Sequence, residues 1–144
     1  MKEPIRFLSI AALNYMLASN VAYAGNNYVL KSGEKKLKSG HNMEAIADFT
    51  KAIKHRPKLA PAHLAEAYLY RGFAELAIGA AASAKSDFNK AIEIDPEPSD
   101  AQTLKIRGLV KSALGDRIGA QSDFTMATSF GNKSVDKEVH NNTG

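Results

Sequence analysis

A threefold internal repeat constrains the fold of this 144-residue chain more than any other feature of its sequence. Each unit places two glycines seven residues apart, followed by an alanine, a phenylalanine and a second alanine at steps of five, four and three residues. An aspartate precedes each phenylalanine, and successive units are offset by 39 and 36 residues. This pattern predicts a helical repeat array in which neighbouring units bury a continuous apolar face. The fifteen matching positions are Gly33, Gly40, Ala45, Phe49 and Ala52, then Gly72, Gly79, Ala84, Phe88 and Ala91, then Gly108, Gly115, Ala120, Phe124 and Ala127.

The spacing within each unit predicts two helices joined by a short turn. The alanine and phenylalanine four residues apart, with a further alanine three residues on, lie on one face of the second helix. We expect the first glycine to lie inside the first helix, where it allows close approach while the phenylalanine fills the space beside it. The second glycine is expected to end the first helix. The expected helices are 27–39 with 42–55, 61–78 with 81–94, and 100–114 with 117–130.

Particular residues mark several of the expected helix ends. Asp116 is the clearest N-cap, and Ser99 followed by Gln102 has the form of a capping box. Pro57 and Pro96 are expected to end the helices before them, because proline cannot continue the helical hydrogen-bond ladder.

Four short stretches carry a family resemblance. Residues 70–74 read Tyr-Arg-Gly-Phe-Ala, and residues 86–96 read Ser-Asp-Phe-Asn-Lys-Ala-Ile-Glu-Ile-Asp-Pro. Residues 106–109 and 114–116 of the third unit repeat the core of this pattern. The chain therefore resembles the tetratricopeptide-repeat (TPR) family. The resemblance implies an all-α fold, a right-handed α-solenoid of three helix-turn-helix units at about 26–58, 65–98 and 101–132, within a domain spanning 25–132.

The first unit departs from the family pattern. Ser32 stands where the later units have arginine before the glycine, and Lys36 stands where the family usually has an aromatic residue. We therefore expect the first helix to be the least stable part of the array.

We expect no additional polar helix after the third unit, although the end of a helical repeat array commonly needs a polar cap. Ile118, Met126 and Phe130 are expected to lie on that uncovered surface. Self-association or docking of a partner is one interpretation, and a tail that folds over the surface is the other. We expect Gly131 to end the last helix and residues 133–144 to form a polar, frayed tail.

The N-terminal segment reads as a secretory signal peptide. Lys2 and Arg6 precede an apolar run of 18 residues that starts at Phe7 and ends in Ala-Tyr-Ala at residues 22–24. We predict that residues 1–24 are removed after Ala24 and that the mature chain is periplasmic or secreted. The alternatives are an uncleaved anchor and an ordinary first helix. The run contains four Ser and Asn residues and is marginal for a bilayer that needs about 20 apolar residues.

The resemblance also implies a concave groove, lined by the first helix of each unit, that holds a peptide of a protein partner. Its apolar middle flanked by charge suits a short amphipathic peptide, and the alternative is that several of these residues pack inside the array. Some family members clamp a C-terminal carboxylate with a Lys and Asn set, but Leu30 and Glu34 occupy two of those positions here. The candidate groove residues are Leu30, Glu34, Leu37, Lys38, Leu69, Phe73, Leu76, Ala77, Lys105, Leu109, Ser112 and Ala113.

Charge is unevenly distributed along the chain, whose formal net charge is +4. Residues 26–58 carry a net charge of +5, residues 65–98 carry −3, and residues 99–132 carry +1. The basic first unit predicts an alternative function, electrostatic binding of an anionic glycan or a membrane surface, against the simpler interpretation of a solvated helix face. We do not expect nucleic-acid binding, because aromatic residues do not alternate with these lysines.

No pattern in the sequence points to catalysis or to a bound cofactor. The chain has no cysteine, and its histidines at positions 41, 55, 63 and 140 form no pair at a metal-ligand spacing. It also lacks a glycine-rich phosphate loop and a recognisable Ser-His-Asp arrangement. We therefore predict a binding protein that is not an enzyme and needs neither a metal nor a cofactor.

Overall fold

The computed structural model describes residues 10–55 and 59–141, with side-chain packing described for residues 24–55 and 59–131. This described part is all-α, with six helices and no strand. Consecutive helices pack as three hairpins, which confirms the predicted arrangement of three helix pairs. The helices are α1 (Ile10–Lys38), α2 (Asn42–Lys54), α3 (Pro61–Ala77), α4 (Ala81–Ile94), α5 (Ala101–Ala113) and α6 (Arg117–Asn141).

Helix α3 holds the array together. It packs against α1, α2, α4 and α5, so the first helices of the three hairpins, α1, α3 and α5, form one row. Helix α4, in contrast, makes at most slight contact with α5.

The core is centred where α1, α2 and α3 meet. Phe49 on α2 is completely buried, and its ring packs edge-on against Tyr70 of α3 at a centroid distance of 6.0 Å. Leu30, Leu69 and Val110 belong to the same cluster. Burying a side chain the size of phenylalanine contributes about 1.5–3 kcal/mol, so these residues supply much of the stability that positions the first-helix row.

The mid-helix glycines have the role that the sequence predicts in two of the three units. A Cβ on Gly33 would lie 2.7 Å from Cε1 of Phe49, and a Cβ on Gly108 would lie 2.6 Å from Cε1 of Phe124. Gly72 differs, because its Cβ would meet the carbonyl oxygen of Ala84 at 3.1 Å. In the second unit the glycine thus makes room for the backbone of α4, whereas in the other two it makes room for a phenylalanine ring.

The second glycine of each unit ends the first helix, as predicted. Gly40, Gly79 and Gly115 have φ angles of 77°, 83° and 91°. Glycine is favoured in this left-handed region because a side chain there collides with the backbone.

A carboxylate on each second helix joins it to the first helix of the same hairpin. Asp87 accepts hydrogen bonds from Nε and Nη2 of Arg71 at 2.6 and 2.8 Å. Asp123 accepts the equivalent pair from Arg107 at 2.8 and 2.6 Å. The sequence analysis identified the recurring aspartates but not these partners, which lie sixteen residues before them.

The first hairpin makes the equivalent connection with different residues. Ser32 occupies the arginine position, and Asp48 accepts hydrogen bonds from Ser32 Oγ and Lys36 Nζ, both at 2.7 Å. Burial raises the pKa of the Asp48 carboxyl, but these two hydrogen bonds outweigh it and hold the pKa below its ordinary value. Lys36 thus supplies the cation that Arg71 and Arg107 supply in the other two hairpins.

The arginines also join neighbouring hairpins. Arg71 Nη1 donates to Thr50 Oγ1 on α2 at 3.1 Å, and Arg107 Nη1 donates to the carbonyl oxygen of Pro96, before α5, at 2.7 Å. Each planar guanidinium therefore fixes both its own hairpin and the one before it.

One helix cap agrees with the sequence and one prediction is wrong. Asp116 caps α6, since its Oδ1 accepts a hydrogen bond from the backbone nitrogen of Gly119 at 2.9 Å. The N-cap of α5 is Asp100 rather than Ser99, and its Oδ1 accepts from the backbone nitrogen of Thr103 at 2.7 Å. The carboxylate lies one residue closer to the helix and takes the capping position. Pro57 lies outside the described residues.

Helices α1 and α6 are longer than predicted. Helix α1 begins at Ile10 instead of residue 27, because residues 10–24 contain no proline or glycine to interrupt it. Helix α6 continues to Asn141 instead of ending at residue 130, and Gly131 lies within it rather than acting as a C-cap. Residues 1–9 of the predicted signal segment lie outside the described residues, as do residues 142–144 of the predicted tail.

Candidate functional site

An open cleft of about 390 Å³ crosses the row formed by α1, α3 and α5. Each helix contributes at least two side chains, so the cleft is a property of the array and not of a single hairpin. Leu37, Phe73 and Ile106 are half-buried and pack against the core cluster, which holds the apolar part of the cleft in place. The lining residues are Glu34, Leu37 and Lys38 on α1, Tyr70 and Phe73 on α3, and Gln102 and Ile106 on α5.

The cleft includes four of the twelve groove residues predicted from the sequence. These four are Glu34, Leu37, Lys38 and Phe73. Two others, Leu30 and Leu69, are only 1% and 2% exposed and belong to the core. The remaining six do not line the cleft: Leu76 is half-buried against the core, and Ala77, Lys105, Leu109, Ser112 and Ala113 are exposed.

The sequence analysis missed Tyr70, Ile106 and Gln102. Tyr70 and Ile106 lie two residues before the mid-helix glycine of their units, whereas the predicted positions Leu69 and Lys105 lie three residues before it. One residue turns a helix by about 100°, which is enough to move a side chain from the cleft into the core or onto another face. A signal was present in the sequence, since a bulky apolar residue occupies this position in both units.

The cleft runs obliquely across the three helices. Measured from the mid-helix glycine, α1 contributes residues one to five positions after it, and α3 contributes residues from two before to one after. Helix α5 contributes residues six and two positions before its glycine. Each successive helix thus presents an earlier turn to the cleft, so the groove has a direction.

Carboxylates gather beyond the end of the cleft that lies toward the start of α3 and α5. Thr103 connects two of them, because its backbone nitrogen donates to Asp100 and its hydroxyl lies 3.5 Å from Oε1 of Glu66. On α1, Glu34 pairs with Lys31 at 2.8 Å. This end of the cleft is therefore rich in negative charge carried by three different helices.

Burial raises the pKa of two groups at this acidic end. The pKa of Glu66 is raised first by desolvation, which the nearby His63 opposes and Asp100 reinforces. The pKa of Tyr70 is raised by its own burial and then by the negative charge of Glu66 and Glu34. The raised pKa means that the negative charge of Glu66, once formed, destabilises the folded chain.

A second, basic depression of about 940 Å³ lies on α1 and the turn after it. Tyr28 is 76% exposed there. Two of its lysines are already engaged, Lys31 with Glu34 and Lys36 with Asp48, which reduces the positive field available to a ligand. The lining residues are Tyr28, Lys31, Ser32, Lys35, Lys36, Ser39 and His41.

The outer face of α6 agrees in part with the predicted exposed surface. Ile118 is 88% exposed and Met126 is 40% exposed, whereas Phe130 is half-buried. A shallow depression of about 760 Å³ surrounds the first two, lined also by Arg117, Gln121, Ser122 and Thr125.

The described residues provide neither a metal site nor a membrane-spanning helix, and no known relative identifies a further site. The described histidine and acidic residues form no group that could hold a metal ion, and no helix in the described part combines the length and apolarity needed to cross a membrane. A scan against protein-family models gives no match, and a search of curated proteins gives no significant relative.

Proposed function

We propose that the chain is an exported TPR-type interaction module that binds a peptide segment of an envelope partner in the cleft. The observation that carries this proposal is the cleft itself, an apolar depression with a polar rim built by three successive first helices. The space within it that a water-sized molecule can occupy is about 100 Å³, well below that of a typical ligand pocket, which suits a single side chain of a longer peptide. The proposed role is a scaffold or adaptor, with no chemical step and no cofactor.

Local chemistry supports a peptide as the occupant. Leu37, Phe73 and Ile106 offer apolar surface for an anchoring side chain, while Glu34, Lys38 and Gln102 offer polar contacts at the rim. Peptide recognition on helical surfaces combines these two elements, because burial of the anchor provides affinity and the polar contacts provide specificity.

Site-specific photo-crosslinking in the native cells tests this proposal. A photoreactive amino acid at the exposed Gln102 samples the cleft, and the same amino acid at Asn89 on α4 samples an exposed position outside it. We expect one polypeptide segment to crosslink to position 102 and not to position 89. Equal crosslinking at both positions contradicts the proposal.

Substitutions in the cleft provide the matching binding test. Gln102→Trp fills the cleft from an exposed position, and Phe73→Gln removes its aromatic surface. Leu109→Gln is the matched control, because Leu109 has the same position in its unit as Phe73 but lies outside the cleft. We expect the partner identified by crosslinking to be lost from copurification with the first two variants and retained by the control, with circular dichroism verifying that all three remain folded.

The proposed location is tested by the N-terminus of the same purified chain. Removal of residues 1–24 gives a chain that begins at Gly25, in agreement with export. A chain that retains Met1 and copurifies with cytoplasmic proteins contradicts the location but leaves the cleft to be judged by its own variants.

The alternative function, electrostatic binding of an anionic glycan or membrane surface, is supported by the basic depression on α1. Replacing Lys31, Lys35 and Lys38 by glutamate should abolish a salt-sensitive interaction of this kind. Retention of binding to anionic vesicles or glycan at high salt contradicts it.

Self-association is a further proposed property of the exposed face of α6. Ile118→Asp removes its most exposed apolar side chain. If copies of the chain associate through this face, sedimentation of the variant should show a smaller species than the unchanged chain.

A further inference from the structure

We infer that the peptide bound in the cleft carries a lysine or arginine beside its apolar anchor, and that this cation contacts Glu66 and Asp100. This inference rests on the proposed function and specifies the class of its ligand. It follows from the position of the acidic groups relative to the cleft, from their available charge, and from the asymmetry between the two ends of the cleft.

The acidic groups lie within reach of a peptide whose anchor occupies the cleft. Glu66 is one helical turn before Tyr70, so it lies about 6 Å along α3 from a lining residue. Asp100 caps the helix that supplies Gln102 and Ile106. A side chain as long as lysine or arginine spans such a distance from a neighbouring peptide position.

Glu66 and Asp100 have negative charge available for a ligand. Among the described residues, the salt bridges at this end involve Glu34, which pairs with Lys31, but neither Glu66 nor Asp100. Their shared partner is the uncharged Thr103. The charged or titratable groups that face Glu66 are Lys31, Glu34, His63, Tyr70 and Asp100. The lysine among them, Lys31, forms its salt bridge with Glu34 and not with Glu66, so a ligand cation adds countercharge beside this half-buried carboxylate.

The opposite end of the cleft differs in charge, which gives the ligand a direction. Lys38 lies one turn beyond Glu34 on α1, away from Lys31 and the carboxylates near it. A cation at that end would meet Lys38 and be repelled. The peptide therefore places its basic residue toward Glu66 and Asp100, and an acidic peptide does not fit this end.

Selection from a displayed random-peptide library on the purified full-length chain tests the inference. We expect the selected peptides to share a bulky apolar residue with Lys or Arg close to it, above their frequency in the unselected library. The affinity of one selected peptide is then measured for each variant by fluorescence anisotropy. Glu66→Gln keeps the hydrogen-bond acceptor, and Asp100→Asn keeps a good N-cap, so both variants remove charge while preserving the fold.

We expect each of these variants to weaken binding about five- to tenfold, since charge-assisted contacts contribute more than neutral ones. Glu44→Gln removes an exposed charge on α2 outside the cleft and should leave the affinity unchanged. Raising NaCl from about 0.05 M to about 0.5 M should reduce the difference between the original chain and both variants, because salt screens the contact.

The outcomes separate this inference from the proposed function. If the selected peptides show no basic enrichment, or show acidic enrichment, and Gln102→Trp still abolishes their binding, the inference is overturned and the peptide-binding cleft stands. Unchanged affinity in Glu66→Gln and Asp100→Asn overturns it as well. Peptides that bind equally to the Gln102→Trp variant, or a selection that enriches no peptide, contradict the peptide-binding cleft itself and the inference with it.

Discussion

Replacing Gly33 by alanine should destabilise the fold, whereas the same change at Gly131 should stabilise it. A Cβ on Gly33 would lie 2.7 Å from Cε1 and 2.9 Å from Cδ1 of Phe49. Phe49 has little freedom to move aside, because it is completely buried and packs edge-on against Tyr70. Gly131 lies inside α6, and a Cβ there meets nothing within 4 Å.

The magnitude follows from two opposing effects. Replacing glycine by alanine inside a helix stabilises it by about 1 kcal/mol. Overpacking a buried site costs about 1–3 kcal/mol, and this cost applies at Gly33 but not at Gly131. We therefore expect Gly33→Ala to lie below Gly131→Ala in stability by about 1–3 kcal/mol, the full cost of the overpacking.

Urea denaturation followed by circular dichroism measures this difference. For a slope of about 2 kcal/mol per molar urea, the two midpoints should differ by about 0.5–1.5 M. Adding Phe49→Leu to Gly33→Ala makes room for the new methyl group, so the double-mutant cycle should give a favourable coupling of about 1 kcal/mol or more. Equal midpoints for the two alanine variants, or a cycle without coupling, would refute close approach as the reason for glycine at position 33.

Six further substitutions test the electrostatics and one helix cap. Arg107→Leu removes the bidentate partner of the buried Asp123 but leaves Lys111, 3.0 Å away, as a second cation, so it should cost about 1.5–3 kcal/mol in urea denaturation. Lys90→Leu breaks an exposed pair and should cost less than about 1 kcal/mol. Burial raises the pKa of Asp123, but hydrogen bonds from its cationic partners prevail and lower it. The ionised carboxylate therefore stabilises the fold at pH values above its ordinary pKa of 3.8, and this stabilisation is lost as the pH falls through the pKa of the folded state. The loss of stability caused by Asp123→Asn should accordingly shrink in acid. Burial raises the pKa of Glu66, so its charge destabilises the fold at neutral pH and has no effect well below the ordinary carboxyl pKa of 4.5. Glu66→Gln should therefore raise the Tm at pH 7 and leave it unchanged near pH 3. Asp116→Ala should cost about 1 kcal/mol, while Asp116→Asn keeps the cap and should cost little.

The repeat pattern was sufficient to predict the three helix pairs because glycine and alanine requirements are local. Few residues other than glycine tolerate the positive φ at position 40 or the 2.7 Å between a Cβ at position 33 and Cε1 of Phe49. These requirements are therefore visible in the sequence itself. The outer limits of α1 and α6 were not predictable in the same way. The start of α1 is predicted too late because residues 1–24 are assigned to a signal peptide and not to the array. The end of α6 is predicted too early because a glycine, here Gly131, ends a helix only where the backbone turns.

The cleft was only partly predictable because it depends on how the helices are staggered. If the lining residues had the same position in every unit, the groove would cross the helices at right angles. The oblique course instead brings Phe73 of α3 beside Gln102 of α5, which lies about two turns earlier in its own unit. The carboxylate partners were missed for a related reason, since the contact of Arg71 with Asp87 becomes visible only when two antiparallel helices are placed side by side.

The central position of α3 has a mechanical consequence for the cleft. The α5–α6 hairpin is attached to the other four helices mainly along the α3–α5 contact, with the Arg107 bond to Pro96 beside it and little support from α4. A rotation about that single seam would change the separation of Ile106 from Phe73 without breaking the contact of Phe49 with Tyr70. We therefore expect α5 to be the more adjustable wall of the cleft, with a position that responds to the size of the anchoring side chain. A ligand that bridges both walls would slow backbone amide exchange throughout α5 and α6 and leave exchange in α2 unchanged.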